Sequence, residues 1–150
     1  MSLEELYREV ILDHYRNPRN QGALPQPDHH GEGYNPLCGD EVTVDLMTDD
    51  GVVTQVGVQG QGCSISQASA SMMSGAILGK PIDEIVELAG RFNAMMSSET
   101  ETIDPARPGA ALGDLEALSG VRQFPVRIKC ATLGWFTMLE ALGVELPHSE

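Results

Sequence analysis

Apolar residues recur along residues 2–16 with the spacing of one helical face: Leu3, Leu6, Tyr7, Val10, Ile11 and Tyr15. Ser2 and Glu5 stand at the capping-box spacing. Asn17-Pro18 ends the helix, because a proline pushes the residue before it out of helical geometry. Residues 17–40, rich in Pro, Gly, Asn and His, read as a long ordered loop. Strict alternation follows. Val42, Val44 and Leu46 share one face of a strand over 41–48, and Val52, Val56 and Val58 repeat the pattern over 52–59. Asp49-Asp50-Gly51 makes the tight turn of a β-hairpin between them.

Beyond the Gly-rich link Gly60-Gln61-Gly62-Cys63 the period lengthens again. Residues 65–79 predict a helix full of small side chains (Ser66, Ala68, Ser69, Ala70, Ser71, Ser74, Gly75, Ala76), against which another backbone can come close. Residues 82–93 predict a helix after Pro81, 94–113 an irregular polar segment, 114–119 a short helix, and 126–142 a last helix burying Ile128, Ala131, Trp135, Leu139 and Leu142. The expected fold class is α+β: a small antiparallel sheet of about three strands with helices packed on one face, in a single domain over residues 1–150. Met72, Met73, Met95 and Met96 read as packing residues.

Charge narrows the function. With 22 acidic and 9 basic side chains the formal net charge is -13. Such a surface repels phosphate backbones and anionic lipid, so neither nucleic acid nor a membrane is an expected partner. The acidic start MSLEELYREV is unlike a signal peptide, and a cytoplasmic location is expected. In that reducing compartment the three cysteines do not predict a disulfide framework.

Those cysteines carry the candidate chemistry. Cys38 lies in Asn35-Pro36-Leu37-Cys38-Gly39-Asp40, just before the first alternating strand; Cys63 lies between the hairpin and a helix; Cys130 lies near the start of the last helix. Unpaired amides at a helix N-terminus favour a thiolate, which is expected for both Cys63 and Cys130. Asp40, two residues after Cys38, adds a hard oxygen, so three sulfurs and a carboxylate would make a four-coordinate zinc or iron site. Local features alone leave a shared site and plain core packing both open, since free cysteine is often a small buried hydrophobe.

Together the motifs resemble a known family. Asn35-Pro36-Leu37-Cys38-Gly39-Asp40, then Gly60-Gln61-Gly62-Cys63-Ser64-Ile65-Ser66 with its run of Ala and Ser, then Lys129-Cys130, resemble the three cysteine motifs of the IscU/NifU N-terminal scaffolds. The helix end His14-Tyr15-Arg16-Asn17-Pro18-Arg19-Asn20 resembles that family's start. Lys129 stands where IscU proteins have histidine. The stretch Phe124-Pro125-Val126-Arg127-Ile128-Lys129 lacks their chaperone-binding Leu-Pro-Pro-Val-Lys segment, and the interval from Cys63 to Cys130 is longer. These departures resemble the SufU branch.

The resemblance implies zinc held by Cys38, Asp40, Cys63 and Cys130, and sulfur accepted on Cys38 from a cysteine desulfurase and passed to downstream iron–sulfur assembly proteins. It implies at most a sulfurtransferase activity. The alternative it leaves is a scaffold on which a transient [2Fe–2S] cluster is assembled on the same ligands. Arg127, three residues before Cys130, is a candidate helper that would steady a thiolate or persulfide; the simpler reading is a solvated surface residue. Other candidates carry less. His29 and His30 read as solvated loop histidines, and the acidic stretch from Glu99 to Asp104 as a solvated loop. Gly60-x-Gly62 lacks the rest of a phosphate-binding loop, and the C-x-x-C motif of a zinc deaminase is absent.

Overall fold

The first helix, α1, spans Leu3–Arg16 and carries a complete capping box: Ser2 Oγ accepts the Glu5 amide at 3.1 Å, and Glu5 Oε1 accepts the Ser2 amide at 2.9 Å. The computed structural model describes residues 2–97, 106–107, 109–110 and 112–145. The whole acidic stretch from Glu99 to Asp104, the ends of the expected domain and His148 therefore lie outside the described residues. The stripe of α1 that packs inward is Tyr7, Val10, Ile11 and His14, while Leu6 and Tyr15 are exposed. His14 completes that stripe because its ring is fully partnered: Nδ1 lies 2.8 Å from Ser71 Oγ and Nε2 2.9 Å from Asp114 Oδ2. An apolar count passes over it, since a histidine can be buried only where such partners exist.

Three antiparallel strands follow in the order β1 (His29–Asn35), β2 (Asp40–Asp49) and β3 (Val52–Gln61). β2 and β3 are the expected hairpin, closed by Asp50 and Gly51, both with positive φ as a tight hairpin turn requires. β1 corrects the expectation of a loop over 17–40. Its sequence, His29-His30-Gly31-Glu32-Gly33-Tyr34-Asn35, has glycines where a strand would show apolar residues. They sit there because the last helix, α4 (Pro125–Leu142), lies directly on the strand. A Cβ at Gly31 would come within 2.7 Å of the Thr137 carbonyl, and one at Gly33 within 2.0 Å of Thr137 Oγ1. A glycine strand is the solution to a close backbone approach.

The face bearing Val42, Val44, Leu46, Val56 and Val58 packs under α4 and under α2 (Ser64–Ile77). α3 (Ile82–Ser97) is one turn longer than its sequence pattern, and the expected short helix is a 3₁₀ segment over Gly113–Gln123. Phe92 of α3 stacks on Trp135 of α4 with ring centroids 4.9 Å apart. Met72, Met73, Met95 and Met96 are all buried in this core. The small residues of α2 do what their size allows. Gly134 of α4 packs against Ala70, and Ser69 Oγ donates to the Ala131 carbonyl. At the end of α1, Ser71 Oγ accepts the Arg19 amide at 2.9 Å and Ser74 Oγ accepts from Asn20 Nδ2 at 3.0 Å, which stitches the His14–Asn20 stretch to α2.

The opposite face of the sheet is crossed by the segment around Gly22 and Leu24, anchored where the buried Asp45 accepts the Leu24 amide at 3.1 Å. His30 Nδ1 lies 2.6 Å from Asp45 Oδ1 and Nε2 2.9 Å from Glu32 Oε2, so the imidazolium donates to both. His30 is thus part of β1 and turned away from the cysteine face.

Two outcomes follow from these contacts. Gly33→Ala should lower stability by about 1–3 kcal/mol in denaturant unfolding, because the added methyl has no space against Thr137. Hydrogen bonds to Glu32 and Asp45 raise the His30 pKa above its ordinary 6.5. A raised folded-state pKa gives stability that is complete below the ordinary value and is lost as pH climbs through the raised one. The melting-temperature gap between wild type and His30→Gln should therefore narrow as pH rises above the ordinary histidine value of 6.5.

Candidate metal centre

Cys38 rides on the β1–β2 turn. Its amide and that of Gly39 both donate to the Asn35 carbonyl, at 3.3 and 2.9 Å, and Asn35 Oδ1 accepts the Leu37 amide at 3.2 Å. The chain then enters β2 at Asp40, which is fully buried. Cys63 is the N-cap of α2: its sulfur accepts the Ser66 amide at 3.5 Å, the role Ser or Asp usually fills. Cys130 is the sixth residue of α4 and wholly buried. All three cysteines are free.

These side chains meet at one end of the sheet. Donor atoms of Cys38, Asp40 and Cys130 all lie within 4.8 Å of one another. The Cys130 thiol donates to Cys38 Sγ at 3.2 Å. Cys63 joins from the side through Asp40: its amide donates to Asp40 Oδ1 at 2.9 Å and its thiol lies 4.0 Å from Oδ2. Two sulfurs bonded to one tetrahedral zinc at about 2.3 Å would stand ~3.8 Å apart, so the spacing suits a single ion. Gly62 makes the junction of Asp40 and Cys63 feasible, for with φ at +140° a Cβ there would fall 2.2 Å from Asp40 Oδ1.

The electrostatics separate the donors. Burial pushes the Asp40 carboxyl up, but hydrogen bonds from the Cys63 amide, Cys130, Ser66 and the Cys63 thiol outweigh it and hold the group below the ordinary carboxylate value. Burial is also the largest influence on Cys130, and Asp40, Cys38 and Cys63 add to it, so its thiol is pushed far up. This corrects the expectation of a helix N-terminus favouring the Cys130 thiolate. α4 begins at Pro125, and by its sixth residue the free amides of the first turn are behind it. A packed, acid-neighboured thiol of this kind ionises only with a cation beside it. Two soft sulfurs and an ionised carboxylate within reach of one another, with a third sulfur 4.0 Å from that carboxylate, are therefore a donor set that fits zinc or iron.

Arg127, in the first turn of α4, is exposed and lines a recess of about 330 Å³ with Ile65, Gly120, Val121 and Phe124. No carboxylate pairs with it among the described residues. His29 and His30 lie on β1 and bond to Thr48, Asp45 and Glu32, away from the thiols. Sequence reasoning passed over Asn35. Its place before Pro36 signals a turn cap, but nothing in the sequence signals its amide reaching Cys130 Sγ at 3.9 Å.

Fold and donor set together define a class. The family model for the NifU-like N terminal domain matches residues 6–131, and the chain belongs to that family. It is 43% identical over 146 residues to the zinc-dependent sulfurtransferase SufU of Bacillus subtilis, covering 96% of this chain and 94% of that one. It is 37% identical to the iron-sulfur cluster assembly scaffold protein IscU of Thermotoga maritima, over 95% of this chain and 96% of the other. Among solved structures, a putative iron-sulfur cluster assembly scaffold protein for the SUF system from Fervidobacterium islandicum superposes with a TM-score of 0.82 at 32% identity, over 93% of this chain and 98% of that one. The expected α+β architecture is the architecture of this family. Among the described residues, no helix is long and apolar enough to cross a membrane.

Gly62→Ala should push Asp40 and Cys63 apart. Zinc affinity measured by competition with a chelator should fall at least ten-fold, the usual size of a disturbed ligand-supporting contact. Unchanged affinity would show that the Gly62 junction does not set the site.

Proposed function

We propose that this chain is a zinc-holding sulfur carrier of iron–sulfur cluster assembly, with Cys38, Asp40, Cys63 and Cys130 as the four ligands of one ion and Cys38 as the sulfur acceptor. The observation that carries the reading is the meeting of Cys38, Asp40 and Cys130 donor atoms within 4.8 Å of one another, with the Cys63 thiol 4.0 Å from Asp40 Oδ2. Zinc bound there would supply the positive charge that keeps the buried thiols ionised.

The transfer needs one donor that can leave. Cys38 is only partly buried and sits on a turn between exposed Leu37 and Gly39, whereas Cys63 caps a helix and Cys130 lies inside one. The Cys38 thiolate attacks the terminal sulfur of a persulfide carried by a cysteine desulfurase. A sulfur–sulfur bond forms to Cys38 Sγ, the bond to the desulfurase cysteine breaks, and that cysteine leaves as the thiolate, with no net oxidation. Arg127, without a carboxylate partner among the described residues and lining one recess with Ile65, two residues past Cys63, offers its guanidinium to the incoming anion. Cytosol is the compartment this chemistry needs, since the thiols must stay reduced. Downstream iron–sulfur assembly proteins then take the sulfur.

A second reading uses the same ligands as a scaffold for a [2Fe–2S] cluster, and the 37% identity to IscU scaffolds favours it. Metal content separates the two. Protein purified without chelators should hold about one zinc per chain; brown, iron-containing protein would favour the scaffold. The acceptor is tested by incubation with a cysteine desulfurase and cysteine, followed by mass-spectrometric mapping of alkylated persulfides. Label is expected on Cys38, and Cys38→Ser should abolish stimulation of the desulfurase while keeping the fold. Label on Cys63 or Cys130 with Cys38 unmodified would contradict the assignment.

A further inference from the structure

Asn35 closes β1, is 6% exposed, and uses both halves of its side chain at the donor cluster. Oδ1 accepts the Leu37 amide and its carbonyl accepts the Cys38 and Gly39 amides, so it builds the turn that carries Cys38. Across that turn it pairs with Asp40 in the β1–β2 register. Its Nδ2 is directed at Cys130 Sγ, 95 positions away in sequence, at 3.9 Å. One residue thus shapes the turn of two donors and touches a third on another element.

The three sulfurs are treated differently. Cys63 Sγ accepts the Ser66 amide and Cys130 Sγ lies before the Asn35 amide group. Among the described residues no N–H donates to Cys38 Sγ, whose neighbour is the Cys130 thiol. A hydrogen bond to a thiolate draws charge off the sulfur, which weakens it as a nucleophile and steadies it as a ligand. Once Cys130 is ionised as a ligand, its S–H bond to Cys38 is lost, and Cys38, with no N–H donor among the described residues, keeps its charge and its nucleophilicity.

We propose that Asn35 is a positioning residue that, by donating to Cys130 and not to Cys38, fixes Cys130 in the donor set and leaves Cys38 as the sulfur that exchanges. The proposal rests on the reading of these residues as one metal centre. Backbone and side chain act together: the carbonyl and Oδ1 keep the Cys38 turn formed, and Nδ2 holds the sulfur that must stay when Cys38 swings out.

The test uses the full chain loaded with Co(II) or zinc, as wild type and as Asn35→Ser and Asn35→Asp. Both variants keep an oxygen able to accept the Leu37 amide, both lose the N–H aimed at Cys130, and only the second adds charge. In the cobalt protein the sulfur-to-cobalt charge-transfer band should move to longer wavelength in both variants, because a sulfur relieved of its hydrogen bond gives up charge more readily. In the zinc protein the affinity should fall about ten-fold. Limited iodoacetamide labelling, confined to Cys38 in wild type, should spread to Cys130. Loss of thermal stability alone moves neither the band nor the label distribution. A wild-type band that neither variant shifts, with label still on Cys38 alone, overturns the proposal and leaves the metal centre standing. A wild-type cobalt protein with no sulfur-to-cobalt band overturns the metal-centre reading and the proposal with it.

Discussion

The close approach of α4 is the constraint on which the rest of the molecule depends. α4 lies on β1 where Gly31 and Gly33 leave no side chains, and on α2 where Gly134 meets Ala70 and Ser69 bonds to the Ala131 carbonyl. Each of these contacts is a backbone brought nearer than ordinary side chains allow. Together they clamp the stretch containing Cys130 between the strand that ends at Asn35 and the helix that begins after Cys63. A chain with ordinary strand residues on β1 would hold α4 further out, and the Cys130 sulfur would not reach Cys38.

The donor cluster inherits its character from that clamp. Cys130 is carried on α4 and is wholly buried, Asp40 is held by the Cys63 amide at the start of β2, and Cys63 caps α2. Only Cys38 sits on a turn open to solvent, beside exposed Leu37 and Tyr34. Packing therefore grades across the site, from a buried carboxylate and a buried sulfur to a half-buried helix cap and a half-buried sulfur on a turn. That grading is what a carrier needs, since it must keep its ligand set while one member does chemistry.

Much of this was legible in the residues. The β2–β3 hairpin, the capping box of α1 and the buried face of α4 follow from period and turn chemistry, and the small residues of α2 announced a close neighbour. The three cysteine motifs carried the family resemblance. What escaped was decided by distant partners. β1 reads as a loop because its glycines answer to Thr137, about a hundred positions later. His14 reads as polar until Ser71 and Asp114 are seen to satisfy it. Cys130 reads as a helix-start cysteine until Pro125 is counted as the first residue of α4, which moves the thiol past the free amides and deep into the core. Local pattern reports the elements; the fit between elements is written only in the packing.

The central claim is that one ion draws Cys38, Asp40, Cys63 and Cys130 together. X-ray absorption at the zinc edge of the as-purified protein measures it directly. The account predicts three sulfurs at about 2.3 Å and one oxygen at about 2.0 Å, with one sulfur missing from the shell in Cys38→Ser. A shell made of nitrogen and oxygen alone, or one that Cys38→Ser and Cys130→Ser both leave unchanged, would contradict it.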